Sequence, residues 1–339
     1  MIRILKILTI GVIMLQGWSA SAQRNLVYKD TVEPRIRVII DNDFGGDPDG
    51  LFQLVHHILS PSVEIKGIIG SRNYEGGFYG SPCTATYSCK QVNELLSVMQ
   101  LTGKFRVCEG GNSSLKDIKT PVISEGAKAI VQEAMREDTK MPLYVVCGAG
   151  LTSVASAYLM EPRIAKKIIL VWIGGGEYPG LTTTSQTENN PEYNLGIDIK
   201  ACQVIFNISD ISIWQVPRDT YRQALYSYSE LVYKIKPNGI TGKFLVGKLE
   251  DLMKKAKGSL GEVYILGDSP LVLLTALQAP WNAEPSSSKY IMKSSPKVND
   301  YGLYEETKGN RQIRVYTSLD TRLIFDDLVA KLALFKMRN

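Results

Sequence analysis

Short apolar runs alternate with stretches of helical spacing along most of the chain. Ile36–Ile40, Val63–Ile69, Phe105–Cys108, Pro142–Cys147, Ile168–Ile173, Ile211–Val216 and Gln312–Thr317 read as strands. Helical spacing covers Asp49–Leu59, Ser124–Arg136, Thr152–Met160, Cys202–Phe206, Thr241–Lys257, Pro270–Leu277 and Asp320–Phe335. A further helix is expected from an N-cap/N1 pair at Ser81-Pro82 to about Leu101. The Pro- and Ser-rich stretch Pro280–Pro296 reads as a loop excursion. Strands that are apolar throughout are buried on both faces, which requires a parallel sheet covered by helices. Right-handed crossovers then give an α/β fold with a doubly wound, mostly parallel sheet. Ligands bind such sheets beyond the carboxyl ends of the strands, so the loops after Ile40, Ile69, Cys147 and Ile173 should meet.

Composition narrows the chemistry. Of 339 residues only two are histidines, the neighbours His56 and His57, so a multi-histidine metal site is excluded. Both fall inside a helical stretch and read as packing or surface residues. The N-terminus reads as an export leader: Arg3 and Lys6, a short apolar run Ile7–Leu15, and small residues at Ala20-Ser21-Ala22. That run is far below the ~20 residues that span a bilayer. Residues 1–22 are thus expected to be removed, leaving one domain over 23–339, periplasmic in a host with two membranes. Loss of Arg3 and Lys6 lowers the formal charge from +5 to +3. Basic residues are scattered, and Lys254, Lys255 and Lys257 read as a solvated helix face, so neither nucleic acid nor membrane is an expected partner. The five cysteines, at 83, 89, 108, 147 and 202, leave at least one thiol free; Cys83 and Cys89 could pair or be held apart by a helical turn.

The densest chemistry lies directly after the first strand, in Asp41-Asn42-Asp43-Phe44-Gly45-Gly46-Asp47-Pro48-Asp49-Gly50. Uncompensated, four carboxylates in one cleft repel and oppose folding. A hard divalent cation resolves that conflict, and Ca²⁺ accepts six to eight oxygens in flexible geometry. An EF-hand is excluded because Phe52 stands at the twelfth position, where that loop needs Glu. There is no P-loop motif, and the Gly174-Gly175-Gly176 run reads as close backbone approach at the sheet edge.

This pattern resembles the nucleoside hydrolases, which open with a strand followed by D-x-D-x-x-x-D-D. The likeness continues in order along the chain, through Val145–Thr152, Ile169–Gly175, Glu192-Tyr193-Asn194 with Asp198, and Gly267-Asp268-Ser269-Pro270-Leu271. The resemblance implies Ca²⁺-dependent cleavage of the N-glycosidic bond of a ribonucleoside or related N-riboside, with Asp43 as general base acting on water. It implies an ion held by Asp43, Asp47, Asp49, Asp268 and the backbone carbonyl of Cys147. Asp47-Pro48-Asp49 replaces the adjacent acidic pair, which leaves open whether Asp47 or Asp49 binds the ion. Asp49, Asn73, Glu192 and Asn194 match sugar-binding positions, with Arg72 as the alternative to Asn73. Asp268 also suits a helix N-cap. Gly267 stands where many members carry the histidine that protonates the leaving base; Trp172, Tyr178 and Tyr193 are candidates to stack on or protonate it. The expected partner is a small nucleoside or sugar derivative, and a homo-oligomer is possible. The other reading is a non-catalytic sugar- or nucleoside-binding protein that keeps the fold and ion site.

Overall fold

The structure is a computed structural model, and it describes residues 32–181, 190–257, 261–278, 288–307 and 311–337. The export leader expected at 1–22 lies outside the described residues.

Strands β1 (Ile36–Asn42), β2 (Val63–Gly70), β3 (Val107–Glu109), β4 (Leu143–Cys147), β5 (Ile168–Ile173) and β6 (Ser212–Val216) join in one sheet with Lys289–Ser294 and Gln312–Ser318. The order is β3-β2-β1-β4-β5-β6, then Gln312–Ser318, then Lys289–Ser294 at the edge. All neighbours are parallel except the last pair, which is antiparallel. Side chains alternate between two buried layers. Val38 and Ile40 of β1 pack with the helices Asp49–Ile58, Ala85–Val98, Gly239–Lys255 and Thr321–Lys336. Ile39 packs on the other face with Glu125–Ala134, Thr152–Met160 and Ile199–Gln203. The doubly wound, mostly parallel sheet read from the sequence is the one observed. Among the described residues no helix is long and apolar enough to cross a membrane.

Three local readings need correction. The helix expected from Ser81-Pro82 starts at Ala85, because the Thr84 hydroxyl accepts from Tyr87 N at 3.1 Å and so caps it. Pro280–Pro296 is not loop throughout: Lys289–Ser294 forms the antiparallel edge strand, whose apolar centre, Tyr290-Ile291-Met292, is only three residues long between lysines and so falls short of an apolar-run criterion. Cys202–Phe206 is helical as expected, as the end of Ile199–Gln203 and its π-helical continuation Val204–Ile208. Only Pro270–Leu273 of the stretch 270–277 is α-helical. All five cysteines are free thiols, so Cys83 and Cys89 do not pair.

His56 and His57 are both fully buried. His56 Nε2 meets Asp327 at 2.7 Å, and Asp327 in turn pairs with Lys331 at 2.5 Å. His57 lies between Gln53 and Thr275. They belong to the packing beneath the sheet, not to its open edge.

Candidate functional site

The strand order reverses between β1 and β4, and an open parallel sheet leaves a crevice at such a switch point. β1 brings Asp41 and Asn42 there, level with Cys147 of β4, and Gly148 N donates to Asp41 O at 3.1 Å. The loop beyond β1 folds back through Gly46 N to Asp43 O at 2.7 Å. A Cβ on Gly46 would stand 2.9 Å from Asn73 Nδ2 and 3.2 Å from Asp43 Oδ2, so only glycine admits this close approach. The helix Asp49–Ile58 then starts with Asp49 in its first turn, where the dipole favours an anion.

A cavity of about 300 Å³ opens at this point, walled by Asp43, Asp47, Asp49, Glu192 and Asp268. Gly148, Ile173, Tyr193, Asn194 and Tyr221 complete much of its lining. Burial raises the carboxyl of Asp43 well above its usual range, and repulsion from Asp268 and Asp47 adds to it. Asp49 is raised likewise, by burial and then by Asp268, Asp47 and Asp43. Burial pushes Asp47 to about 6, against the lowering effect of its bond from Tyr264. Asp268 reaches about 7, chiefly through burial, with Asn42 pulling the other way. Behind the wall, Asp41 is raised to about 6 by burial while Ser71, Ser153 and Cys147 partly offset it.

Each expected site residue has a definite place. Asp47 Oδ1 accepts from Tyr264 Oη at 2.6 Å and from Asp49 N at 3.2 Å. Asp49 Oδ2 accepts from Asp268 N at 3.2 Å, so both Asp47 and Asp49 reach the cavity. Asp268 is not an N-cap: its Oδ2 accepts from Asn42 Nδ2 at 2.8 Å, and the helix after it has no side-chain cap. Cys147 turns its thiol toward Asp41 Oδ2 at 3.7 Å, away from the cavity. Glu192 caps the helix Tyr193–Ile197 through Leu195 N at 3.1 Å, binds Gly175 N at 2.7 Å and accepts from Tyr221 Oη at 2.9 Å. Asn194 donates to Ile173 O at 2.8 Å and Gly148 O at 3.1 Å, which leaves its carbonyl oxygen for a ligand. Asn73 lies beside Asp43 across Gly46, and its buried Oδ1 has no hydrogen-bond partner among the described residues. Arg72 points elsewhere, to Ser114 and the carbonyl of Ile197. Of the three aromatic candidates only Tyr193 faces the cavity. Trp172 donates to Ala149 O at 2.9 Å and Tyr178 to Gln215 at 2.6 Å, both in the core. Tyr193 packs with Tyr74 and Phe78, ring centroids 5.7 and 5.9 Å away.

Sequence reasoning missed Tyr221, Arg222 and Tyr264. The first two follow β6, so extending the strand-end argument to the loop after Val216 would have found them. Their loop is tied down by Arg218, whose guanidinium makes two 2.6 Å bonds to Glu177. Tyr264 sits on the short strand Val263–Ile265, paired with Leu225–Ser227, and carries no local signal.

Among the described residues no three His, Cys, Asp or Glu side chains are already drawn together as a metal cage. The carboxylates instead face one another across the cavity. The donor set still suits a hard cation: it is all oxygen, and its charges are mutually repelling and desolvated; Asn73 does not itself line the cavity.

A family model described as inosine-uridine preferring nucleoside hydrolase matches residues 38–322. The inosine-uridine preferring nucleoside hydrolase of Leishmania major is 25% identical over 204 residues, 56% of this chain. The chain spans 62% of that relative's length. A plant nucleoside hydrolase superposes with a TM-score of 0.68 at 17% identity, over 88% of this chain and 99% of the other. A purine-preferring ribonucleoside hydrolase from Gardnerella vaginalis gives 0.69 at 16% identity, over 89% and 99%. At these identities the superpositions establish a shared fold.

Proposed function

The chain belongs to the inosine-uridine preferring nucleoside hydrolase family, and on that premise we propose that it hydrolyses the N-glycosidic bond of a ribonucleoside or related N-riboside. The observation that carries this reading is the convergence of Asp43, Asp47, Asp49 and Asp268 on one cavity of about 300 Å³ at the end of β1. Ca²⁺ would be held by those carboxylates and the carbonyl of Cys147, and when bound it supplies the positive charge that makes a water acidic at neutral pH. Asp43 takes the proton of the attacking water as its oxygen bonds the anomeric carbon. The C–N bond breaks and its electron pair leaves with the base. Carboxylates around the sugar stabilise the positive charge that develops on it. Asn194, through its free carbonyl, and Asn73 hold sugar hydroxyls, while Tyr193 forms an apolar wall for the base. Glu192 holds Tyr221 and the Gly175 turn in place as well as facing the cavity.

In the same reading residues 1–22 are an export leader and 23–339 one hydrolase domain. A mature N-terminus at Gln23, found by sequencing the exported protein, supports export.

A binding protein without turnover is the second reading. It is favoured by Gly267, which lines the cavity beside Asp49 and Tyr221 but offers no acid for the leaving base. Purine and pyrimidine ribonucleosides, incubated with protein alone, with a Ca²⁺ chelator, and with Ca²⁺ restored, separate the two. Base release that the chelator stops and Ca²⁺ restores supports hydrolysis. Calorimetric binding of a nucleoside with no base released over long incubation selects the binding protein.

A further inference from the structure

Asn42 lies fully buried behind the cavity wall, at the point where β1 ends. Its Oδ1 accepts from Asp43 N at 2.8 Å, and its Nδ2 donates to Asp268 Oδ2 at 2.8 Å. A backbone N–H can only donate and a carboxylate can only accept, so this amide has one workable orientation. Its second hydrogen points at Gln53 Oε1, 3.4 Å away. Gln53 Nε2 meets His57 Nδ1, and His57 Nε2 meets Thr275 Oγ1 at 2.9 Å; an amide NH₂ only donates, which assigns the ring proton to Nε2. Thr275 passes its own proton to Leu271 O at 2.5 Å. Burial lowers the His57 pKa and keeps the ring neutral, which that sequence of donors requires. Two glycines clamp the amide: a Cβ would stand 2.9 Å from Nδ2 at Gly50 and 2.5 Å from it at Gly148.

We propose that Asn42 is the positioning residue of the site, holding the Asp268 carboxylate against the β1 loop and fixing the backbone of Asp43, with its own orientation set by the Gln53–His57–Thr275 chain. The roles of Asp43 and Asp268 are those of the hydrolase reading; the geometry around Asn42 stands without it. It also explains why Gly50 follows Asp49: a side chain there would displace the amide. Groups that orient ligating carboxylates typically change metal affinity or activity 10- to 100-fold when removed.

The test uses the full chain with Asn42→Ala, and separately Gly50→Ala, which removes no group and pushes the amide aside. Ca²⁺ affinity is measured by calorimetry, turnover with the best nucleoside of the panel, and folding by thermal unfolding. The expected result is Ca²⁺ binding and kcat each weakened about 10- to 100-fold, with KM changed far less and cooperative unfolding retained. Affinity and kcat within about threefold of wild type in a folded variant overturn the proposal, against that same scale. If Asn42→Ala fails to fold, Gly50→Ala decides. If the wild type releases no base, the hydrolase reading fails and the Ca²⁺ titration still decides this one. If it binds no Ca²⁺ either, the Asn42 side-chain NH₂ signals in a ¹⁵N spectrum decide. Slow exchange, with a shift on Asp268→Asn, supports the proposal; exchange at the solvent rate overturns it.

Discussion

Tyr264 donates its hydroxyl proton to Asp47 at 2.6 Å, joining the loop after β1 to a short strand 217 positions further along the chain. The bond lowers a carboxyl that burial pushes up, and so favours Asp47 in its charged form. It also holds Asp47 at the cavity, where Pro48 has separated it from Asp49. Tyr264→Phe should therefore weaken Ca²⁺ binding about tenfold, the lower end for an orienting group. Calorimetric titration checks this, and unchanged affinity would remove Asp47 from the ion site.

Asp43→Asn should lower kcat by about 10²- to 10⁴-fold, the usual contribution of a general base. Thermal unfolding should be unchanged or shifted upward, because the amide relieves repulsion with Asp268 and Asp47. An Asp43→Asn variant turning over at the wild-type rate would end the mechanism.

Tyr193 is the one aromatic candidate that reaches the cavity, and it packs with Tyr74 and Phe78. As an apolar wall it should tolerate Tyr193→Phe with kcat/KM within about twofold. Tyr193→Ala should raise KM about fivefold, matching the ~1 kcal/mol that an aromatic contact contributes. A Tyr193→Phe variant with a large loss of kcat would instead make the hydroxyl the proton donor to the leaving base.

His56 is buried and lowered to about 4 by desolvation, while Asp327 lies below its usual value through its partners His56 and Lys331. The unfolded chain binds a proton near pH 6.5 that the folded His56 refuses. Stability is therefore fully present above that pH and lost as pH falls toward 4. Asp327 acts in the same direction at lower pH. His56→Gln should make the loss of unfolding free energy from pH 6.5 to 4, measured by denaturant titration, smaller by at most about 3 kcal/mol. The cavity carboxylates are common to both proteins and cancel in the difference. Equal slopes would show that His56 is not the acid-sensitive group.

Strand-like runs in the primary sequence pick out seven of the eight strands of the main sheet, and the acidic loop after Ile40 names three of the five carboxylates that line the cavity. Lys289–Ser294 escaped because its apolar centre is only three residues long between lysines. Cys83 and Cys89, close in sequence, are free because Thr84 starts a helix between them. Gly148 and Asn194 lay in motifs that resemble a family, yet their contact, Asn194 Nδ2 to Gly148 O at 3.1 Å, is set by the helix Tyr193–Ile197 packing over the ends of β4 and β5.

Residue order alone determined the parallel sheet, the crevice at its strand ends and a carboxylate cluster suited to a hard cation. Period and charge are local properties, and local physics reads them. Only the tertiary structure decided that Asp268 faces Asn42 instead of capping a helix, that Tyr264 serves Asp47, and that the two histidines lie beneath the site. Those are pairings between residues more than 200 positions apart. They follow from which strands the sheet sets side by side and which helices cover it, and no stretch of sequence contains that information by itself.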